Sequence, residues 1–380
     1  MKKELYIGIM TGTSMDGIDL VIAGFDGFPK IIAEYSAPIY PTLKKNLFDF
    51  ATKKIVNLDL LVVSHFALAH EYAKVVNNAL KKAKLKAKDI RAIGLHGQTI
   101  RHLPKLGATF QLGSGPALSA LTGIDVVSDF RSGDMAIGGQ GAPLMPMFDY
   151  CFLASNSTNR IILNIGGIAN MTFLPAGCRE EDIIAFDTGP GNMIIDVLTN
   201  EFFYKPFDSG GKIAKKGKIN DNMLSEFLAN QYFRQSPPKS TGRELFGEKF
   251  LAKFKKSAEK KNLSASDIIA TATELTARTI ADALRFLPKK DLKSHSTEII
   301  ASGGGVKNNF LCERIKKLLP DIGFRTSDEI GIPSQAKEAL AFAWFAKSFL
   351  DGEYIHLPKT TDASKKIILG SLSKGINVSF

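Results

Sequence analysis

IGIMTGTSMDGIDLVIAGFD, residues 7–26, joins two apolar runs through a turn crowded with glycine, serine and threonine. IILNIGGIANMTFLP, residues 161–175, repeats the same strand, glycine turn and strand about 155 residues later. Two such hairpins, each opening its half of the chain, predict two related α/β domains facing each other. Glycine-rich hairpins are common, so the pairing alone leaves chance recurrence open.

Outward from the hairpins, short β-rich runs alternate with longer helical patterns, which favours an α/β class. Helical periodicity covers roughly 64–86, 192–201, 266–286, 307–319 and 336–350. Ser266 is placed to cap the third of these, and Pro288 to close it. GGQGAPLMPMF, residues 138–148, is dense in glycine and proline and reads as an interdomain crossing. The expected division is therefore 1–135 and 136–380, with the C-terminal end returning onto the first domain. Residues 205–247 are polar and irregular, and read as either a functional insertion or a mobile surface loop.

The 380 residues are 44% hydrophobic and 23% charged, the profile of an ordinary globular chain. MKKELYIGIMTG carries no apolar signal-peptide core, and no segment approaches the ~18 apolar residues of a membrane span. Cys151, Cys178 and Cys312 are far apart and odd in number, against a disulfide framework or a zinc site. A reducing cytoplasm is the expected compartment. The net charge of +11 raises nucleic-acid binding, but the lysines gather at 81–88 and 253–261, near the ends of helical patterns. With no accompanying recognition motif, neither nucleic acid nor membrane is expected as a partner. A basic chain also suits anionic small substrates.

Gly12 and Gly17 have the spacing of a phosphate-binding loop, yet Ile18 and Asp19 stand where its lysine and hydroxyl belong. Thr11, Thr13 and Ser14 add hydroxyls, and backbone N–H groups of the turn can form an anion nest. Gly166, Gly167 and Asn170 offer the same in the second hairpin. Asp187 in AFDTGPGN closes an apolar strand beside Gly189 and Gly191, where α/β folds place ligands. It can act as a general base, bind Mg²⁺, or simply cap the turn. Gly303, Gly304 and Gly305 let a flat ring approach backbone at a helix start. His96, Gln98, Thr99, Asp129, Arg131 and Asp134 form a polar set in the first half, with Arg131 able to hold a carboxylate in bidentate fashion. Together these segments read as an ATP-dependent phosphotransferase. No dinucleotide fingerprint and no hydrolase elbow competes.

GIMTGTSMDGID, GLHGQT, SDFRSGDMAIGGQGAPL, NIGGIAN, FDTGPGN, PPKSTGRE and SGGGVKN, in this order, resemble the anhydro-N-acetylmuramic acid kinase family. The resemblance implies two RNase H-like domains of the actin, sugar kinase and Hsp70 superfamily, an interdomain ATP site and a homodimer. It implies ATP- and Mg²⁺-dependent opening of 1,6-anhydro-N-acetylmuramic acid to N-acetylmuramic acid 6-phosphate, in peptidoglycan recycling. The ATP phosphate segment maps onto Gly12, Thr13, Ser14, Met15, Asp16, Gly17, Ile18 and Asp19, and the base that activates water onto Asp187. Glu338 is similar to a family acid near the sugar. Asp16 and Asp19 are expected to face the metal, directly or through water, because a carboxylate beside a triphosphate needs a cation. The rival readings are another sugar or acetate-type kinase of the superfamily and a nucleotide-switched actin-like protein.

Overall fold

The computed structural model describes residues 4–12, 15, 17–355 and 357–376. The thirteen strands among them are β1 (Leu5–Thr11), β2 (Ile18–Gly24), β3 (Lys30–Ala37), β4 (Ile90–Leu95), β5 (Gln98–Leu103), β6 (Ala108–Leu112), β7 (Val126–Ser128), β8 (Thr158–Ile165), β9 (Ile168–Leu174), β10 (Ile184–Pro190), β11 (Ser296–Ser302), β12 (Gly323–Thr326) and β13 (Ser371–Ser373). The chain divides into two compact units, Met1–Phe152 with Ala336–Phe380, and Leu153–Gln335.

The sheet of the first unit runs β13-β7-β4-β1-β2-β3. β1, β2 and β3 form an antiparallel meander, while β4 and β7 continue parallel to β1. The sheet of the second unit runs β10-β9-β8-β11-β12, again with two antiparallel pairs on one side and two parallel pairs on the other. The RNase H-like order thus occurs twice, and the two glycine hairpins are its equivalent first pairs. β1 and β2 are buried along nearly their whole length, which suits their continuous apolar sequence. β3 alternates exposed and half-buried residues, as an edge strand should.

Backbone contact explains why residues beyond 336 belong to the first unit. Gly8 and Gly94 are register partners on parallel β1 and β4. A Cβ at Gly8 would overlap the carbonyl oxygen of Ala339, and one at Gly94 that of Phe342. The helix Lys337–Leu350 therefore lies directly on a glycine track, and the buried Ala339, Ala343 and Ala346 keep it close. The glycine and proline stretch at 138–148 precedes the boundary: Phe148 and Phe152 pack against Trp344 within the first unit. The first unit thus extends past residue 135 to Phe152 and takes in the C-terminal helix.

Several local expectations change. The helix expected from 266 begins at Ala265, and its cap is Ser264, whose hydroxyl accepts from the Asp267 N–H while Asp267 reaches back to the Ser264 N–H. It ends at Ala283, five residues before Pro288, which instead precedes a further short helix. Residues 205–247 carry the helices Asp221–Leu228 and Arg243–Phe246, and Met223, Leu224, Phe227, Tyr232, Phe233 and Phe246 are buried in a core cluster. Polar composition concealed these buried apolar residues.

Candidate active site

In the first hairpin the Met15 N–H donates to the Gly12 carbonyl, closing a turn in which Met15 is left-handed, at φ 57. The Met15 side chain enters the core, so this residue anchors the turn, and its N–H is already used. Gly17 is needed because a Cβ there would press on the Ala37 carbonyl. Ile18 is a core residue of β2, and Asp19 follows it opposite Met10. Thr13, Ser14 and Asp16 lie outside the described residues.

Three segments of the second unit meet at the ends of β8 and β11. The N–H groups of Gly191 and Met193 donate to the Gly167 carbonyl, and that of Asn192 to the Gly166 carbonyl. The hairpin turn is thereby fastened to the start of the helix Met193–Phe203. Gly303 takes φ 84 and Gly305 sits against Ile165, so neither position admits a side chain. Gly304 alone of the three is exposed, and a Cβ there would meet only the Asn192 amide, at 3.9 Å. Of the triple glycine, this leaves Gly304 as the residue a ligand can approach. Asn170 is the register partner of Asp187 on β9 and β10.

Asp187 occupies a register break: β10 slips against β9 between Asp187 and Gly189, leaving Thr188 as the extra residue. Bulges of this kind re-aim side chains. Gly189 has φ 148, and a Cβ there would strike the Phe233 ring. The segment 239–241 then fastens Asp187. Its N–H donates to the Lys239 carbonyl at 3.1 Å, and the Thr241 N–H donates to Oδ2 at 2.9 Å. The Tyr232 hydroxyl donates to the Asp187 carbonyl at 2.8 Å. Oδ1 makes no hydrogen bond among the described residues, so one carboxylate oxygen is held and the other is open to a ligand. Burial pushes the carboxyl up to about 6; the Thr241 N–H works against that, Glu244 adds to it, and Lys239 opposes it. A base titrating there is ionised at neutral pH yet more basic than an ordinary aspartate.

In the first unit, Arg131 and His96 are joined directly. Arg131 Nε and Nη2 approach His96 Nε2 at 3.1 and 2.9 Å, and Nη1 donates to the Gly141 carbonyl at 2.7 Å. His96 Nδ1 lies 2.8 Å from the Gly97 carbonyl. A carbonyl only accepts, so the proton sits on Nδ1 and Nε2 is the acceptor. Burial, with Arg131 second, pushes His96 down to about 3, which fixes this neutral form. Burial also lowers Arg131 to about 10, with Glu338 and Asp134 pulling the other way, so it stays cationic at neutral pH. These contacts use three of its five N–H groups and leave two.

Glu338 stands in the first turn of the helix Lys337–Leu350, and burial raises its carboxyl despite the neighbouring Arg131 and Lys337; Asp19 adds to the rise. The structure thus gathers Asp19, Arg131, His96 and Glu338 into one electrostatic group. Asp134 is fully buried, taking hydrogen bonds from the Gly141 N–H and the Thr361 hydroxyl. That moves it from the substrate-binding set to the scaffold. Gln98 is likewise fully buried, with Nε2 on the Thr99 carbonyl and Oε1 unpartnered among the described residues. The Thr99 hydroxyl accepts from Gln111. Lys239, Thr241, Tyr232 and Glu244 were missed as site residues, although PPKSTGRE was already a recognisable motif. No helix among the described residues is long and apolar enough to cross a membrane.

A family model described as anhydro-N-acetylmuramic acid kinase matches residues 4–375. The chain is 42% identical over 377 residues to an anhydro-N-acetylmuramic acid kinase of Coxiella burnetii (strain RSA 493 / Nine Mile phase I), covering 99% of each. It is 40% identical over 375 residues to one from Shewanella pealeana, covering 98% of this chain and 99% of that one. A third, from Caldanaerobacter subterraneus subsp. tengcongensis, is 36% identical over 388 residues, with 98% and 97% covered.

Proposed function

The chain belongs to the anhydro-N-acetylmuramic acid kinase family, and from that premise we propose that it opens 1,6-anhydro-N-acetylmuramic acid with water and phosphorylates O6. The product is N-acetylmuramic acid 6-phosphate, and the phosphoryl donor is ATP. The observation that carries the reading is Asp187, a half-buried carboxylate with one oxygen tethered, the other open, and a carboxyl pushed up to about 6.

Asp187 accepts the proton of a water that attacks the anomeric carbon. The bond from that carbon to O6 breaks, and its electron pair stays on O6. O6 then attacks the γ-phosphorus of ATP and ADP leaves, so phosphoryl capture replaces the proton that an acid supplies in ordinary glycoside hydrolysis. Arg131, with two N–H groups left and a charge kept by its environment, pairs with the lactyl carboxylate of the sugar. Glu338 lies beside it as a further polar contact for the sugar.

In the second unit the glycine turn at 166–170, with Gly304, provides a backbone approach for nucleotide. A divalent cation fits this donor set in one way. Among the described residues no group of three acidic, histidine or cysteine side chains could hold a metal ion, so Mg²⁺ would be held mainly by phosphate and water, with Asp19 and Asp16 as the protein's contribution. Bound there it would neutralise phosphate charge. A cytoplasmic homodimer acting in peptidoglycan recycling completes the proposal.

The reading is tested in ¹⁸O water with rapid quenching, before the anomeric hydroxyl exchanges. Label on the anomeric carbon supports coupled hydrolysis; its absence there rules it out.

A further inference from the structure

Asp187 is gripped by a segment 52 or more residues further along the chain, and the grip is of two kinds. Backbone groups of Lys239 and Thr241 fix the strand bulge and one carboxylate oxygen. The Lys239 side chain folds back toward the same strand. Its ammonium lies 4.6 Å from the Phe286 ring centre, 4.8 Å from that of Tyr232 and 5.7 Å from that of Phe186, and donates to the Tyr232 carbonyl at 3.3 Å. Three ring faces and a carbonyl hold a cation without neutralising it. Two of these residues flank the base directly: Phe186 precedes Asp187, and Tyr232 donates to its carbonyl.

We propose that Lys239 is a positioning residue for Asp187, a fixed positive charge that keeps the base ionised while the Thr241 N–H aims its carboxylate. The proposal rests on the reading of Asp187 as the base. It gives the PPKSTGRE stretch a role in the reaction that the resemblance did not assign.

Asp187 faces Lys239 on this segment and Glu244 on the short helix Arg243–Phe246. Lys239 faces Asp187 and, beyond the end of the helix Ala265–Ala283, Arg285. Burial and Arg285 bring Lys239 down to about 8, while Asp187 holds it up. The ammonium is therefore charged throughout the range in which Asp187 titrates. Lys239 also lines a cavity of about 200 Å³ together with Phe286 and the charged Arg234, Asp282 and Arg285. Glu244 pushes the carboxyl toward protonation and Lys239 pushes it toward ionisation, so removing Lys239 leaves only the acidic neighbour.

The test is the pH dependence of kcat/KM in the full-length enzyme with Mg-ATP and the anhydro sugar. In Lys239→Gln the acid limb should move up by about one unit, the scale for loss of a close opposite charge. The loss of rate should be about tenfold at low pH and shrink as pH rises. Lys239→Arg should return the limb toward its original place. A loss of equal size at every pH, or an unmoved limb, overturns the proposal. A reciprocal measurement avoids any change at Lys239 and any dependence on folding of its variants. In Asp187→Asn, the Lys239 ammonium, followed by NMR, should titrate below its wild-type value; an unchanged titration also overturns it. The base reading fails separately. If Asp187→Asn keeps activity that reading is lost, whereas an inactive Asp187→Asn with an unmoved Lys239→Gln limb leaves the base standing and removes Lys239.

Discussion

His96, buried in the first unit, and Asp187, half-buried in the second, are both titratable groups that desolvation drives to opposite uses. Desolvation disfavours charge, so it lowers a histidine and raises an aspartate. His96 is pushed to about 3, both ring nitrogens are occupied, and it is neutral at any working pH. Asp187 is pushed only to about 6, because the Thr241 N–H and Lys239 resist the effect of burial, and one oxygen remains open. The first group is locked as a hydrogen-bond acceptor for Arg131. The second is poised to exchange a proton. A shifted titration point therefore marks a reactive group only when its hydrogen bonds leave an atom unused.

The sharpest way to break this contrast is to replace the poised group. Asp187→Asn keeps shape but cannot accept the proton, and turnover should fall by ~10³-fold or more; near-normal turnover would remove it from the mechanism. Next in size is Arg131→Ala, which should weaken binding of the anhydro sugar by about 10²-fold while changing ATP binding far less. Equal losses for both ligands, measured by calorimetry, would make Arg131 structural.

The pH profile separates the two groups directly. A base must be deprotonated, so kcat/KM should fall below about pH 6 as Asp187 takes up a proton, with about a tenfold loss per unit below that point. His96 should contribute no inflection between pH 5 and 8, and a second inflection there that disappears in His96→Gln would contradict its locked state. His96→Gln retains an acceptor for Arg131 and should raise the sugar KM only a few-fold, with kcat nearly unchanged.

The smallest effect is on stability, and its signs are opposite for the two groups. The raised Asp187 makes folding less favourable as pH rises from 3.8 through about 6, while the lowered His96 makes it less favourable as pH falls from 6.5 toward 3. At pH 8, Asp187→Asn should therefore be more stable than the parent and unfold at a higher temperature. A lower melting temperature would show that the ionised carboxylate is stabilising.

Some of this was legible in the sequence for a physical reason. Strand, glycine turn and strand are local, so both hairpins and the Asp187 turn could be read from neighbouring residues. The hairpins pointed to two related α/β domains, while the RNase H-like order of the sheets was implied by the family resemblance. Gly8 in LYIGIMT and Gly94 in IRAIGL also carried a local signal, since glycine inside an apolar strand marks a close approach. What approaches is the helix Lys337–Leu350, and that pairing lies far away in sequence. Long range also hid the Asp187 clamp. Tyr232, Lys239, Thr241 and Glu244 sit in a stretch whose composition left a functional insertion and a surface loop equally open, and only the fold brings them to Asp187. Conversely, Asp134 was grouped with the polar set of the first half, and glycines lie close after it in the sequence. Those glycines explain it: a Cβ at Gly139 would collide with its carboxylate, which braces the turn.

The most direct measurement is mass spectrometry of the sugar after incubation with Mg-ATP and 1,6-anhydro-N-acetylmuramic acid, with Asp187→Asn run alongside. The account predicts a product heavier by one water and one phosphoryl group together, formed by the parent enzyme and almost absent with the variant. A phosphorylated sugar that keeps its anhydro bridge, or the doubly changed product formed equally by Asp187→Asn, would contradict it.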